Sequence, residues 1–250
     1  MKLVRPSRLD GRTDAPRGCF DCSAREHAPW CTLAGDALAA LDEVKLLRRY
    51  QPGQFLYIEG DPCHGVYCIS SGTVALRKAG QAEGNSVVAL RHPGETLGYG
   101  AFVTDRPHAN TAEVTSETQV CFIERSRLKS IIEANPSVAH RFVVQMVQSK
   151  ESAEALLAAC RELPVRARLA NALLALKDRH ASVDEQGCLR FELPLSRGHL
   201  SSLVGVRPES LSRAIHALEQ DGVARFRGRE VIVRDLDDLL DEVEEHSSTG

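Results

Sequence analysis

The chain has 250 residues, with 43% hydrophobic and 26% charged residues and a net charge of −3. This composition is typical of a soluble globular protein of one large or two medium domains. No apolar run is long enough to span a membrane, and the Arg-rich N-terminus lacks the apolar segment of a secretory signal. Eight cysteines without an export signal favour a reducing cytoplasm over a disulfide framework. We therefore expect a cytoplasmic protein with no membrane partner.

A cysteine-rich segment, residues 1–32, comes first in the chain. Cys19, Cys22 and Cys31 follow the pattern C-x2-C-x8-C, with Pro29 and polar residues between them. Such a loop is too short and too polar to bury three thiols as ordinary core. Thiolates this close together share a metal or cluster, or pair as a disulfide. The pattern alone leaves these alternatives open.

A β domain is predicted at residues 33–125, opening with an amphipathic helix over Ala37–Arg49. From Tyr50 to about Glu124 the sequence consists of short β-prone pieces divided by glycines. Such a pattern is typical of an antiparallel barrel or jelly roll. The predicted strands are Gln54–Ile58, Val66–Ile69, Thr73–Arg77, Ser86–Arg91, Thr111–Val114 and Val120–Ile123.

A long helical stretch follows over residues 126–163, with a restart at Asn135-Pro136. Beyond the proline, apolar and small residues recur in steps of three and four, as in a helix paired with another helix. The predicted homodimer seam contains Ala139, Phe142, Met146, Ser149, Ala153, Leu156 and Cys160.

A second apolar stripe on this helix, Val143, Val147 and Leu157, is expected to pack on the chain's own β domain. Burial of the whole helix in its own domain is the alternative. The small residues Ser149 and Ala153 predict a weak seam, and hence a dimer that can be switched.

The C-terminal domain is predicted at residues 164–250, after the break at Leu163-Pro164. We expect an amphipathic helix over residues 165–179 and a strand over Phe191–Leu195. Two helices, Ser196–Val204 and Pro208–Gln220, then meet at a glycine turn, which is the helix-turn-helix pattern. Ser196 is a good N-cap, and Pro208 occupies a first-turn position that tolerates proline.

Residues 224–233 are predicted to form a basic hairpin, the wing of a winged helix. The acidic run after it is predicted to be a helix end followed by a solvated tail. Between Arg161 and Arg234 there are 13 Lys and Arg against 9 Asp and Glu, a balance of +4. That excess is the charge expected for phosphate contacts. The predicted DNA-contacting residues outside the second helix are Ser196, Arg197, Arg207 and Arg227.

The second helix carries Glu209, Ser212 and Arg213 on one face of its first turns. Arginine binds guanine O6 and N7 in bidentate fashion, glutamate accepts from cytosine N4, and serine contacts an adjacent base. The alternative is an exposed ion pair between Glu209 and Arg213.

A β-roll, a long pairing helix and a winged helix-turn-helix resemble the CRP/FNR family of bacterial transcription regulators over nearly the whole chain. Pro208–Arg213 resembles the family's E-x-x-S-R motif. The cysteines resemble those of the FNR-type oxygen sensors, which hold a [4Fe-4S] cluster with three N-terminal cysteines and one in the β-roll. The resemblance implies Cys19, Cys22, Cys31 and Cys121 as ligands, although eight residues between Cys22 and Cys31 exceed the commonest spacing.

The resemblance also implies a homodimer that binds a palindromic double-stranded DNA like TTGAT/ATCAA and releases it when the cluster is lost. RNA polymerase is a further partner by family analogy. Cyclic-nucleotide binders of the family use a Glu for the ribose and an Arg-Ser pair for the phosphate. Here Tyr99 and His108-Ala109 stand at those positions, with Arg106 nearby, which argues against cAMP.

Several alternatives remain for the sensing chemistry. Four thiolates also suit structural zinc, and thiol oxidation is a third possibility. Haem would need an axial ligand such as His27, His64, His92 or His108. Cys63 or Cys68 is an alternative fourth ligand, and otherwise these two, Cys160 and Cys188 are expected to be buried apolar residues.

The alternative to a DNA-binding regulator is a thiol- or metal-binding module that mediates protein association and does not bind DNA. We expect no enzyme activity, because no nucleophile–base or carboxylate pair stands out.

Overall fold

The computed structural model describes residues 18–24, 33–79, 85–184 and 188–247. The chain divides into two compact units, Met1–Glu151 and Ser152–Gly250. The division falls inside the long helix, ahead of the Leu163-Pro164 break at which the sequence predicts the C-terminal domain to begin. Among the described residues, no helix combines the length and apolar character needed to cross a bilayer.

The first unit contains two antiparallel sheets with helices before and after them, and so has the predicted β-roll architecture. In chain order its elements are α1 (Gly35–Val44), β1 (Leu46–Tyr50), β2 (Phe55–Tyr57), β3 (Gly65–Ser71), β4 (Val74–Ala79), β5 (Asn85–Arg91), β6 (Thr96–Leu97), α2 (Tyr99–Thr104), β7 (Thr111–Val114), β8 (Thr118–Glu124), α3 (Arg125–Ala134) and α4 (Pro136–Glu162). The sheets have the strand orders β1-β8-β3-β6 and β2-β7-β4-β5.

All six predicted strands are present, but the helix predicted over Ala37–Arg49 is wrong in its second half. α1 ends at Val44, Lys45 adopts an extended backbone, and Leu46–Tyr50 forms β1. β1 pairs with β8 in an antiparallel register that places Leu47 opposite Cys121. Pairing with a distant strand therefore overrides the helical spacing of this short segment.

Side-chain alternation gives the sheet β1-β8-β3-β6 two buried faces. On one face, Tyr67, Ile69, Val120 and Phe122 pack in the core between the sheets. The intervening residues of β3 and β8 pack on the opposite face, against α1, α3 and the start of α4. The members of this second core on the two strands are Val66, Cys68, Cys121 and Ile123.

Two residues of the predicted dimer seam, Phe142 and Ser149, face the β-roll instead of a partner. Phe142 is only 4% exposed, and its ring faces Tyr99 and Phe102 of its own unit, with centroid separations of 6.4 and 6.2 Å. Ser149 accepts a hydrogen bond from the Tyr99 hydroxyl at 2.9 Å. The dimer-seam prediction is therefore corrected for Phe142 and Ser149, which bind the β-roll.

The second stripe, predicted to pack on the β domain, is instead exposed. Val143, Val147 and Leu157 are 50%, 48% and 60% exposed. Helical period alone does not say which of two apolar stripes faces inward. The neighbours decide it here, because Gln145 also lies on the buried side and donates to the Thr96 carbonyl at 2.7 Å. Met146, Ala153 and Leu156 remain predicted interface residues.

The second unit begins within α4 and has the predicted winged helix-turn-helix order. Its further elements are α5 (Val165–His180), β9 (Ala181–Val183), β10 (Leu189–Glu192), α6 (Arg197–Val204), α7 (Pro208–Gln220), β11 (Ala224–Arg227), β12 (Glu230–Val233) and α8 (Leu236–Ser247). The strands form one antiparallel sheet in the order β11-β12-β10-β9.

Two details of the second unit differ from the sequence prediction. β10 ends at Glu192 rather than Leu195, because Pro194 lacks the N–H that would continue the ladder. The acidic run forms α8, which buries Leu239 and whose Glu242 carboxylate accepts a hydrogen bond from Arg166 Nε at 2.6 Å. α8 is thus part of the folded unit and not merely a helix end before a solvated tail.

Substitution of Phe142 tests its assignment to the core of the first unit. Phe142→Ala removes a buried aromatic ring, so we expect the free energy of unfolding to fall by about 3–5 kcal/mol. Denaturant unfolding at fixed protein concentration measures this change. Val143→Ala, at the neighbouring exposed position, should change it far less. A Phe142→Ala protein that keeps its stability but loses self-association would place Phe142 at the dimer interface instead.

Candidate functional site

One cavity of the first unit brings together two predicted cluster ligands of the N-terminal segment and the predicted ligand on β8. Its apolar walls come from α1 and β8, including Leu38, Leu41 and Ile123. The cysteines that line it are Cys19, Cys22, Cys68 and Cys121. Cys31, the remaining predicted ligand, lies outside the described residues.

The sheet register explains how Cys68 and Cys121 reach the same cavity. Cys68 on β3 lies directly opposite Cys121 on β8 in the antiparallel ladder, and both pack on the helix-facing side. Opposite residues of such a pair are close enough for their side chains to interact. Cys63 does not line this cavity, and its Sγ lies 3.5 Å from the Gly65 carbonyl oxygen. Of the two alternative fourth ligands, only Cys68 is therefore in place.

The end of α1 holds the Cys19 side of the cavity. The Asp42 carboxylate accepts hydrogen bonds from the Cys19 backbone N–H and from Lys45 Nζ. Lys45 Nζ lies 3.6 Å from Cys19 Sγ. Sequence reasoning did not identify Asp42 or Lys45, because their role depends on a contact across more than twenty residues of chain.

Ion pairing sets the charge state of this corner. Burial lowers the pKa of Lys45, but its hydrogen bond to Asp42 and the negative charge that Cys19 and Cys121 carry as thiolates outweigh burial and raise that pKa above its ordinary value. Burial likewise raises the pKa of Asp42, but hydrogen bonds from Lys45 and Cys19 hold it below its ordinary value. A partly buried cation therefore lies beside Cys19.

The donor set fits a thiolate-ligated metal or cluster. Soft thiolates select zinc and iron–sulfur clusters over hard cations. In the described part of the chain, which lacks Cys31, no three His, Cys, Asp or Glu side chains are close enough together to hold a metal ion. Cys19, Cys22 and Cys121 nevertheless line one cavity.

A second, more polar cavity lies at the position where the family's cyclic-nucleotide site was expected. Tyr99, Arg91, Arg106 and His108 are among the residues that line it. His108 stacks on the Tyr57 ring at a centroid separation of 3.7 Å, and burial lowers the pKa of this histidine. The residues aligned with the ribose and phosphate contacts thus do line a cavity, although no carboxylate is among its lining residues.

The helix-turn-helix of the second unit is held by local hydrogen bonds. Ser196 caps α6 by accepting from the His199 N–H at 3.1 Å, as predicted. Gly205 has a φ of +72°, and a Cβ there would lie 3.2 Å from Cys160 Sγ. The turn therefore needs glycine for both its conformation and its packing. Arg168 donates to the Val204 carbonyl at 3.3 Å, which ties α5 to the same turn.

α7 presents an exposed face on the side opposite its buried residues Leu211, Ala214 and Leu218. The residues of this face, which line a shallow open surface, are Pro208, Glu209, Ser212, Arg213 and His216. Arg213 donates to the Ser210 hydroxyl at 3.0 Å. Among the described residues no ion pair joins it to Glu209. His216 was missed in the sequence, although its spacing from Ser212 and Arg213 is helical.

The wing is attached to α7 and α6 by side chains from both helices. The Phe226 N–H donates to Glu219 Oε1 at 3.0 Å. The Arg197 guanidinium lies over the Phe226 ring at 5.0 Å, and burial lowers the pKa of this arginine while Glu219 opposes that effect. Arg207 and Arg227 are exposed. A rigid basic edge therefore adjoins the α7 face.

Two family models match the chain in agreement with this architecture. The cyclic nucleotide-binding domain matches residues 47–135, and the Crp-like helix-turn-helix domain matches residues 167–242. Together they span the β-roll and the winged helix-turn-helix.

Similar proteins are transcription regulators. The transcriptional activator protein FnrL of Cereibacter sphaeroides is 28% identical over 240 residues, which cover 93% of this chain and 94% of that protein. The anaerobic regulatory protein of Haemophilus influenzae is 24% identical over 224 residues, covering 89% and 86%. The structure of FixK2 from Bradyrhizobium japonicum shares the fold with a TM-score of 0.70 at 24% identity, covering 79% and 96%. The chain belongs to the CRP/FNR family of transcription regulators and is a DNA-binding protein rather than an enzyme.

Proposed function

We propose that this regulator responds to oxygen through a [4Fe-4S] cluster held by Cys19, Cys22, Cys31 and Cys121. With the cluster intact, a homodimer binds a palindrome like TTGAT/ATCAA; without it, the DNA is released. The observation that carries the proposal is the cavity lined by Cys19, Cys22 and Cys121, in which distant thiols converge. The names of two relatives, FnrL and an anaerobic regulatory protein, support the same sensing class.

Ligand bonds to Cys121 would tie the N-terminal segment to the β-roll. When bound, the cluster supplies iron–thiolate bonds and a centre that reacts with oxygen. Cys19 and Cys22 are close in sequence, so they anchor one side of the cavity, while β8 fixes the other. The chain's own residues thus act as a clamp that is closed only while the ligand bonds last.

Packing connects this clamp to α4. Cys19 and Cys121 pack against the same hydrophobic core that contains Leu128 and Ile131 of α3 and Phe142 of α4. Close-packed cores transmit strain, so a shift at the cysteines would change the packing surface beneath the start of α4. This contiguous core is the physical route by which the sensing site would bias the dimer.

The homodimer would form along the exposed stripe of α4. Val143, Val147 and Leu157 fall within about 80° of one another around the helix axis. Exposed apolar side chains aligned on one helix are the pattern of a helix–helix interface. Pairing of two chains would set two α7 helices about one turn of DNA apart, so that both half-sites are read together.

Sequence would be read by the exposed α7 face, with the basic wing on the adjacent backbone. Glu209, Ser212 and Arg213 have the donors and acceptors for base edges, and His216 extends the same face. Arg207 and Arg227 carry the charge for phosphate contacts. This activity places the protein with the DNA in the cytoplasm, where RNA polymerase would be its further partner by family analogy.

Cys121→Ala tests the ligand set. The proposal expects an anaerobically purified, brown wild type with about four iron and four sulfide per chain, consistent with thiolate-held clusters. Cys121→Ala should lose the cluster because the β-roll anchor is gone. Cys160→Ala and Cys188→Ala are matched controls and should keep it. Iron, sulfide and zinc analysis with anaerobic absorbance makes the measurement, and a colourless wild type with stoichiometric zinc would contradict the proposal.

Arg213→Ala tests base readout. Loss of a bidentate guanine contact should cost about 1–3 kcal/mol on the cognate palindrome and relax the preference at that base pair. Anaerobic binding titrations on the palindrome and on single-base variants measure both effects. Arg227→Ala, at an exposed wing position, should weaken all sequences alike. The same uniform loss for Arg213→Ala would make it a phosphate contact.

Val147→Glu tests the dimer face. A charge buried between two apolar stripes lacks a partner, so we expect the dimer to dissociate at concentrations where the wild type remains paired. Anaerobic sedimentation or light scattering measures the association. Gln148→Glu adds the same charge one position along the helix and should leave the dimer intact. A Val147→Glu protein that dimerises like the wild type would exclude this stripe.

A further inference from the structure

Beyond the four cysteine ligands, the geometry points to Asp42 and Lys45 as positioning residues for the cluster ligand Cys19. We propose that Asp42 fixes the backbone at Cys19, while Lys45 donates to its sulfur and holds it in the ligating position. This inference rests on the proposed [4Fe-4S] function, and it concerns residues that neither the cysteine pattern nor the family resemblance identifies.

The backbone contact is the first observation. The Asp42 carboxylate accepts from the Cys19 N–H, and a Cβ on the preceding Gly18 would lie 3.3 Å from both carboxylate oxygens. Glycine at position 18 therefore lets the carboxylate approach the chain closely. Because Asp42 lies in the last turn of α1, it links the cysteine segment to a helix whose Leu38 and Leu41 are buried.

The charge is the second observation. Lys45 Nζ lies 3.6 Å from Cys19 Sγ, and the Lys45 side chain is only 13% exposed. At a partly buried position solvent and salt screen such a charge less than at the surface. Lys45 also donates to Asp42, so the amine is held between carboxylate and sulfur rather than turning freely toward solvent.

Ligand chemistry gives this pair a function. The Lys45 ammonium donates to the Cys19 sulfur, so it can hold that sulfur in the position from which Cys19 would bind iron. Hydrogen-bond partners of metal ligands orient them, and their removal typically weakens metal binding by about 10–100-fold. Asp42 and Lys45 are such hydrogen-bond partners of Cys19. No other Lys is among the residues that line the described cavity.

The test measures how fast a ferrous chelator removes iron from the reconstituted full-length protein under argon. Lys45→Met keeps the aliphatic stem and removes the charge, so we expect iron loss to be about 10-fold faster. Asp42→Ala should also speed the loss because the Cys19 backbone is released. Lys45→Arg retains the cation and should lose iron at close to the wild-type rate.

Lys78→Met is the matched control, because Lys78 forms an exposed ion pair with Glu59 at 3.2 Å elsewhere in the same unit. It should lose iron at the wild-type rate. Thermal unfolding midpoints of the cluster-free proteins separate a local effect from unfolding. If Lys45→Met unfolds, the rates of iron loss from Lys45→Arg and Asp42→Ala still test the inference. Equal rates for wild type, Lys45→Met and Asp42→Ala, or failure of Lys45→Arg to restore the rate, would overturn the inference. A wild type that binds no iron would instead reject the proposed function itself.

Discussion

The alternation of side chains along β3 and β8 is the constraint on which the sensing site depends. Tyr67 and Phe122 point into the core between the sheets, so Cys68 and Cys121 must point to the other side. That side is covered by α1 and by the described part of the cysteine segment. A register slip of one residue would bury Phe122 among the helices and remove Cys121 from the cavity.

In the proposed mechanism, the same constraint would connect the cysteine cavity to dimer formation. The helix-facing side of the sheet forms one continuous core with α3 and the first turns of α4. Phe142 and Ser149 attach α4 to the β-roll, while Val143 and Val147 remain exposed on another side of the same helix. α4 thus has one side in the core and another exposed, and a change in the core would alter how the exposed side is oriented in the proposed dimer.

Local signals in the sequence predicted the DNA-binding half well. Ser196, Gly205 and Pro208 mark helix ends through capping and backbone preferences, so α6, α7 and their turn were located closely. Long-range features were harder to predict. The sequence of β1 has helical spacing, and only its pairing with β8 shows that it is a strand. Which stripe of α4 faces inward depends on which of its residues contact the β-roll. The sequence offers Cys68 only as an alternative fourth ligand, and Asp42 and Lys45 join the site through contacts between distant segments.

Control of DNA affinity by a cluster in the cysteine cavity can be tested in one sample. The visible absorbance of the anaerobic protein and its binding to a labelled palindrome are recorded together while air is admitted. We expect DNA release to follow the fall in absorbance with the same time course. Unchanged DNA binding after complete loss of the absorbance, or DNA release that precedes it, would show that the cluster does not control DNA affinity.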